Sequence, residues 1–234
     1  YGDDAPMGDP VRLTDGTPIL LSRSGYTGEF GFEIFIAPDK IVQLWQDLLA
    51  QGGEYDIQAC GLGARDSLRA GACLPLSHQD IGPWKFMNHP WDFALPYSDD
   101  NQTFTKTFLG ADALVDEPGD LFVYPFAGDN LRKVGTGEQT QVLTADGTRI
   151  GHVLTCATDM GITRLDGRIV SVATPDLPED IKIKGISCGF VMVSQPLKAG
   201  TRLELNEGKR AIKVTVVKDI RPDRTARKAI HHFI

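Results

Sequence analysis

The sequence predicts an α+β fold, with helices concentrated in the first half of the chain and short strands in the second half. In the first half, two segments typical of strands precede two segments with apolar residues at helical spacing. From Lys133 onward the pattern changes to short strands separated by turns such as Asp146-Gly147. Strands at this spacing are typical of a small antiparallel barrel or a sandwich.

The first two predicted strands, 18–23 and 31–36, flank a glycine-rich turn. A helix follows, because Pro38 suits a first helical position and glycines end the pattern at Gly52. Its apolar residues recur at helical spacing, at Ile41, Leu44, Trp45, Leu48 and Leu49.

A second helix is predicted over residues 63–72, with Leu62 and Leu68 facing the core. Residues 77–130 are weakly periodic but aromatic, so we expect packed irregular structure there rather than a disordered linker. In the second half, six segments are typical of strands, namely 140–143, 149–156, 168–174, 187–194, 202–205 and 210–219. We divide the chain into a first domain over 1–115, a linker over 116–132 and a barrel domain over 133–234.

Composition restricts the possible partners. The net charge of −7 argues against a general nucleic-acid or anionic-membrane binder, which needs a basic face. No apolar run reaches the roughly 18 to 20 residues of a membrane-spanning helix. The four cysteines form no C-x-x-C metal pair, and their number favours reduced thiols in a cytoplasmic protein without a bound metal; they are Cys60, Cys73, Cys156 and Cys188.

The run over residues 22–34, S-R-S-G-Y-T-G-E-F-G-F-E-I, combines three features that a core strand rarely shares. Its glycines allow tight turns and close approach to a ligand. Tyr26 offers an aromatic face with a polar tip. Glu33 places a carboxylate in an apolar strand, which is costly unless a donor pairs with it. A flat, nitrogen-rich ligand would satisfy all three features.

A second segment, C-G-L-G-A-R-D-S-L-R over residues 60–69, places a glycine-rich turn before a helix with Arg65 near its start. One interpretation is a solvated helix start, where Asp66 is favourable to the helix dipole. The other is a site for an anion or carboxylate, because arginine presents a rigid fork of donors.

Together these segments resemble the folate-binding domain of the glycine cleavage T-protein (aminomethyltransferase) family. The family pattern is close to S-R-x-G-Y-T-G-E-x-G-F-E-I, followed at a helix-length interval by G-L-x-A-R-D-x-L-R. Further matches cover nearly the whole chain in order, at 74–76 with 80–81, 90–95, 106–114 and 147–153. The resemblance implies part of a folate-binding α/β domain followed by a small antiparallel β-barrel.

The resemblance also implies a site and an activity. Glu33 matches the glutamate that grips the pterin ring of tetrahydrofolate, Arg65 matches an arginine near the same folate, and Tyr26 packs on the ring. Glu29 is expected to be exposed at its turn. The implied activity is transfer of a methyl or aminomethyl group to tetrahydrofolate, from a small-molecule donor or with a lipoyl carrier protein.

Departures from the pattern leave the donor open. The family's L-R-L-E-A-G becomes 68–73, which loses a carboxylate at Gly71. Its T-S-G-x-x-S-P becomes 155–160, and an extra segment follows at 163–182. Three alternatives remain: a glycine-cleavage aminomethyltransferase, a demethylase of sulfonium, methylamine or methoxy-aromatic substrates, and a non-catalytic folate-binding module. Four aromatic residues are candidates for a donor-binding wall or for simple core, namely Trp84, Trp91, Phe93 and Tyr97.

The resemblance places the family's catalytic aspartate upstream of the glycine-rich run. The chain is therefore expected to be a C-terminal portion that holds part of the folate site, without a catalytic residue of its own that we can assign. His78 is a candidate acid–base group or a surface residue. The arginine-rich stretch 221–227 either meets the anionic glutamate tail of folate or is solvated.

Overall fold

A computed structural model of the protein describes residues 11–82, 88–99, 103–116 and 119–233. The first element is a three-stranded antiparallel sheet in the order β1-β2-β3. Ser22 lies opposite Glu33 in the β2–β3 pair, so the glycine-rich run is the connection between paired strands. The strands are β1 (Val11–Arg12), β2 (Pro18–Ser22) and β3 (Glu33–Phe35).

Helix α1 (Ile41–Gly52) begins after a 3₁₀ turn at Pro38–Lys40, which confirms the predicted proline start and glycine end. Leu44 is its buried residue. The other apolar side chains of its stripe are only partly covered: Trp45 is 53% exposed and Leu48 is 39% exposed. The helical spacing therefore predicts α1 correctly, but most of the apolar side chains of the helix remain exposed to solvent.

Helix α2 (Leu62–Gly71) packs on the barrel through its C-terminal end, where Arg69, Ala70 and Gly71 are buried. The predicted core position of Leu62 is wrong, because this side chain is 77% exposed. Leu62 lies in the first turn of α2, where the described residues leave its side chain largely uncovered. Leu68 is half-buried.

Six antiparallel strands close into a barrel in the order β10-β11-β4-β9-β6-β5. The barrel interior is filled by side chains such as Phe126, Val153 and Leu205, all 0% exposed. Closure gives every strand two hydrogen-bonded neighbours, so no edge is left unpaired. The strands are β4 (Phe122–Gly128), β5 (Gly137–Leu143), β6 (Arg149–Asp159), β9 (Ile186–Val193), β10 (Arg202–Asn206) and β11 (Ala211–Val216).

Strand β4 lies inside the predicted linker 116–132, so residues 122–128 belong to the barrel rather than to a connection. The sequence does not predict this strand because it contains Pro125, and proline inside an apolar run argues against a central strand. The extra segment after β6 contains a second missed element, β7 (Ile162–Leu165), which forms a hairpin with β8 (Arg168–Ser171). The predicted strand over 168–174 contains β8. The division into two domains otherwise stays a prediction.

The aromatic segment packs as irregular structure over its described residues, with a short helix α3 (Ala111–Asp116). Trp91 is 4% exposed and stacks edge-on to Phe190 of β9, with ring centroids 5.2 Å apart. Its indole nitrogen donates to the Cys73 carbonyl at 2.6 Å. This segment therefore joins the end of α2 to the barrel. Among the described helices, none is long and apolar enough to cross a bilayer.

Candidate functional site

The glycine-rich run places the Glu33 carboxylate at an exposed strand start. Its Oε2 accepts a hydrogen bond from Ser24 Oγ at 2.5 Å. Among the described residues, this is the one side-chain hydrogen bond of Glu33. A carboxylate has about four lone-pair positions, so most of its acceptor capacity remains available to a ligand. The geometry fits the predicted role of Glu33 without testing it.

Tyr26 and Arg65 come together although 39 positions separate them in the sequence. The Arg65 guanidinium carbon lies 5.1 Å from the centre of the Tyr26 ring, which is cation–π distance. The Tyr26 hydroxyl donates to the Pro75 carbonyl, and partial burial raises the pKa of this phenol. The pair forms a fixed flat surface beside the run. Within the described part of the chain, no hydrogen bond or ion pair joins this pair to Glu33.

Glu29 is not exposed as expected; it is half-buried and holds the C-terminal segment. Its Oε1 lies 3.0 Å from Arg221 Nε as an ion pair. Its Oε2 accepts from the Thr225 backbone nitrogen at 3.1 Å and from the Thr225 hydroxyl at 2.5 Å. Glycine at position 28 turns the backbone toward these partners, with φ +75°. The partners lie nearly 200 residues away, so local sequence could not reveal them.

The arginine-rich C-terminal stretch is structural in its buried members, so the solvated interpretation is wrong for them. Contact of this stretch with a folate tail stays a prediction. Arg221 is 3% exposed and pairs with Asp159 at 3.1 Å as well as with Glu29. Arg224 is 7% exposed and pairs with Asp219 at 3.0 Å. These guanidiniums are occupied by internal carboxylates and carbonyls, which leaves little capacity for a folate tail.

A cavity of about 630 Å³ lies between the glycine-rich run, the end of α2 and the C-terminal segment. Its walls include Ser24, Phe30, Trp91, Phe93 and Arg227. This volume suits a small-molecule ligand. Ser24 connects the cavity to Glu33 through the hydrogen bond given above, whereas Tyr26, Arg65 and Glu33 do not line it.

The four candidate aromatic residues and His78 lie in different surroundings. Of the aromatic residues, Trp91 is core, Phe93 is 78% exposed on the cavity wall, and Tyr97 packs on Phe104 at 5.1 Å. Trp84 lies outside the described residues. His78 is exposed, and its Nδ1 lies 2.9 Å from Ser77 Oγ.

The cavity also contains a thiol that cannot act as a ready nucleophile. Cys73 lines its wall, and burial raises the pKa of this thiol to about 12. A thiol with this pKa is protonated at neutral pH. Among the described residues, no group of three metal-ligating side chains is close enough to hold an ion.

Sequence reasoning missed a buried polar network beneath the site. Arg69 is 1% exposed and donates to Asp80, to Asp66 at 2.8 Å and to Thr155 at 3.0 Å. Thr155 in turn donates to Asp80 at 2.7 Å. Burial raises the pKa of Asp80, although its hydrogen bonds and Arg69 act against this. An arginine on the apolar side of α2 is the signal that would have revealed it.

The domain described as "GCVT N-terminal domain" matches residues 11–91, which include the whole glycine-rich run and α2. Residues 11–91 are thus similar to the GCVT N-terminal domain, and they make up less than half of the chain. The chain is thus related to the glycine cleavage T-proteins, and the predicted family is confirmed.

Aminomethyltransferases of Bacillus cereus strain B4264 and Bacillus anthracis strain CDC 684 are 54% identical over 69 residues. These matches cover 30% of this chain and 19% of each relative. The crystal structure of glycine cleavage system aminomethyltransferase T from Bartonella henselae matches with a TM-score of 0.60 at 24% identity. That match covers 84% of this chain and 48% of that protein, so the chain spans about half of its length. The α+β fold with a closed barrel is confirmed as T-protein-like.

Proposed function

We propose that this chain supplies the pterin-binding part of a tetrahydrofolate-dependent one-carbon transferase. The observation that carries the proposal is the position of Glu33. Its carboxylate is exposed in a segment matched to the GCVT domain, and it accepts a hydrogen bond from Ser24, which itself lines a ligand-sized cavity. An exposed carboxylate fixed in this way is a bidentate acceptor for the amino-pyrimidine edge of a pterin.

Three side chains support tetrahydrofolate as the ligand through their chemistry. Glu33 would accept hydrogen bonds from the pterin, while Tyr26 and Arg65 would offer a flat, cationic surface to the ring or its linker. When bound, tetrahydrofolate supplies the amine nitrogen that accepts the one-carbon unit. The chain's own residues would orient this acceptor, so their contribution to the rate would be positioning.

For the donor, we propose an aminomethyl group presented by a lipoyl carrier protein. The relatives are named aminomethyltransferases, and no observation among the described residues favours a demethylase. Free thiols in the described part of the chain agree with a reducing, cytoplasmic location, which we include in the proposal. In the complete enzyme, methylene-tetrahydrofolate with release of ammonia would be the product of this reaction. Methyl-tetrahydrofolate as the product would support a demethylase instead.

Calorimetry tests the pterin proposal with two titrants. Tetrahydrofolate contains the pterin, whereas p-aminobenzoylglutamate lacks it. We expect the chain to bind tetrahydrofolate at least about tenfold more tightly, because hydrogen bonds to a charged group contribute about 1.5–3 kcal/mol. Arg65→Met should weaken binding, while Arg132→Met, an exposed arginine on the barrel side, should not. Equal affinity for the two titrants would contradict pterin recognition, and no binding of either would contradict the whole proposal.

A further inference from the structure

Gly71 and Asp159 compete for one space at the junction of α2 and the barrel. Gly71 is the last residue of α2, and Asp159 is the last residue of β6. A β-carbon on residue 71 would lie 1.7 Å from Asp159 Oδ2 and 2.7 Å from its Cγ. No side chain fits at position 71 while the carboxylate occupies this place. The glycine is therefore required by space, not by an unusual backbone conformation.

The carboxylate that fills this space is fully engaged. Asp159 is 1% exposed, and its Oδ2 lies 3.1 Å from Arg221 Nη1. Its Oδ1 accepts a hydrogen bond from the Gly161 backbone nitrogen at 2.8 Å. Burial alone would make this carboxylate costly, so its partners are what keep it in place.

Arg221 contacts both Asp159 and the glycine-rich run. It is 3% exposed, and its Nη2 donates to the carbonyls of Thr27 and, at 3.1 Å, Leu68. Its Nε lies 3.0 Å from Glu29. Thr27 is adjacent to Tyr26, so a shift of the guanidinium would shift the residue that packs against Arg65. Arg221 thereby joins Asp159 of the barrel to the run, beside the hydrogen bonds that Thr225 makes with Glu29 and Phe30.

The motif that residues 68–73 resemble suggests why a carboxylate lies next to Gly71. The motif that residues 68–73 resemble has a glutamate where this chain has Gly71. We propose that the carboxylate has been relocated: Asp159 of the barrel is a positioning residue that acts through Arg221 on the glycine-rich run, and Gly71 is the compensating change that makes room. The positioning role of Asp159 stands on the geometry, the relocation rests on the motif as well, and the consequence for ligand binding rests on the proposed function.

A double-mutant cycle in the full chain tests the relocation, with unfolding in denaturant as the readout. Asp159→Gly should lower the folding equilibrium constant on the order of 100-fold or more, because it leaves a buried guanidinium short of a partner. Gly71→Glu should also lower it, through collision with Asp159. The double variant should fold at least about tenfold better than the product of the two single effects predicts. Additive effects would overturn the relocation.

A matched control uses an ion pair on the barrel surface. Asp129 is 62% exposed and lies 2.8 Å from Arg164. Asp129→Ala should change the folding equilibrium constant less than about fivefold, since exposed pairs contribute little. An effect of Asp129→Ala as large as that of Asp159→Gly would show that any lost carboxylate destabilises this chain, which would contradict a special role for Asp159.

Native-state hydrogen exchange tests the positioning role, with a variant that keeps the shape of the side chain. Asp159→Asn should raise amide exchange in residues 24–31 about tenfold, while the central barrel strand β9 stays protected. Unchanged exchange in residues 24–31 would overturn the positioning role. If these results are as expected but the wild-type chain binds no tetrahydrofolate, the proposed function fails and the relocation stands. If the chain binds tetrahydrofolate and Asp159→Asn leaves both affinity and exchange unchanged, the positioning role fails and the proposed function stands.

Discussion

The barrel and the N-terminal unit, by which we mean β1–β3 with α1, differ in where their apolar side chains lie. In the barrel, Phe126 and Phe190 are 0% exposed. In the N-terminal unit, Leu20 is 64% exposed and Trp45 is 53% exposed. The barrel closes on itself, so its strands cover one another, whereas the open three-stranded sheet has no such closure. Stability is therefore concentrated in the barrel, and the proposed ligand-facing residues lie on or beside the less covered unit.

The largest effect is expected where the aromatic segment packs against β9 of the barrel. Phe190→Ala should lower the free energy of unfolding by about 3–5 kcal/mol, because it removes a fully buried ring that packs against Trp91. Phe35→Ala in β3 is the matched control: its ring is 55% exposed, so the loss should be about 1 kcal/mol or less. Denaturant unfolding measures both. Similar losses would contradict the concentration of stability in the barrel. Phe190→Leu provides a milder variant if the alanine variant does not fold.

An acid-sensitive contribution is expected where the aromatic segment covers the barrel. His89 is 5% exposed beside Trp91, and burial lowers the pKa of its imidazole to about 4. The unfolded chain binds the proton more readily, with a pKa near 6.5. Stability from this residue is therefore complete above pH 6.5 and is lost as the pH falls to about 4, by about 3 kcal/mol in total. His89→Gln should remove this part of the pH dependence of unfolding, and an unchanged pH profile would contradict it.

The smallest effect is expected on α1. Leu48→Ala should cost about 1 kcal/mol or less, because the side chain is 39% exposed and alanine has a slightly better helix propensity. Leu44→Ala on the same helix should cost about 2 kcal/mol or more, since Leu44 is 6% exposed. Thermal unfolding of the two variants provides the comparison. A larger loss for Leu48 than for Leu44 would show that the apolar stripe is covered in solution.

Local patterns were enough to predict most elements of both regions. The spacing of Ile41 to Leu49 gives α1, and the glycine that ends it is where the structure ends it. Strand β4 was missed because Pro125 interrupts its apolar run. The pairing of β4 with β11 runs over Phe126–Gly128, so Pro125 lies just outside it. Leu62 was misplaced because helical periodicity does not show how far a helix extends beyond its support.

The site was predictable in part for a similar reason. Tyr26, Glu33 and Arg65 stand out through residue type and motif, and the structure brings Tyr26 and Arg65 together. The role of Glu29 was not predictable, because its partners Arg221 and Thr225 lie at the other end of the chain. Pairings over such distances depend on the folded barrel and leave no periodic signal in the sequence.

The two glutamates of the glycine-rich run provide the most direct test, since we assign Glu33 to the ligand and Glu29 to the structure. Tetrahydrofolate titration by calorimetry, with unfolding measured in parallel, should separate them. Glu33→Gln should lose affinity about tenfold or more at unchanged stability, because its side chain is exposed. Glu29→Gln should lower stability by about 1–3 kcal/mol, because buried Arg221 loses a charged partner. Wild-type affinity in Glu33→Gln would contradict the assignment of the pterin site.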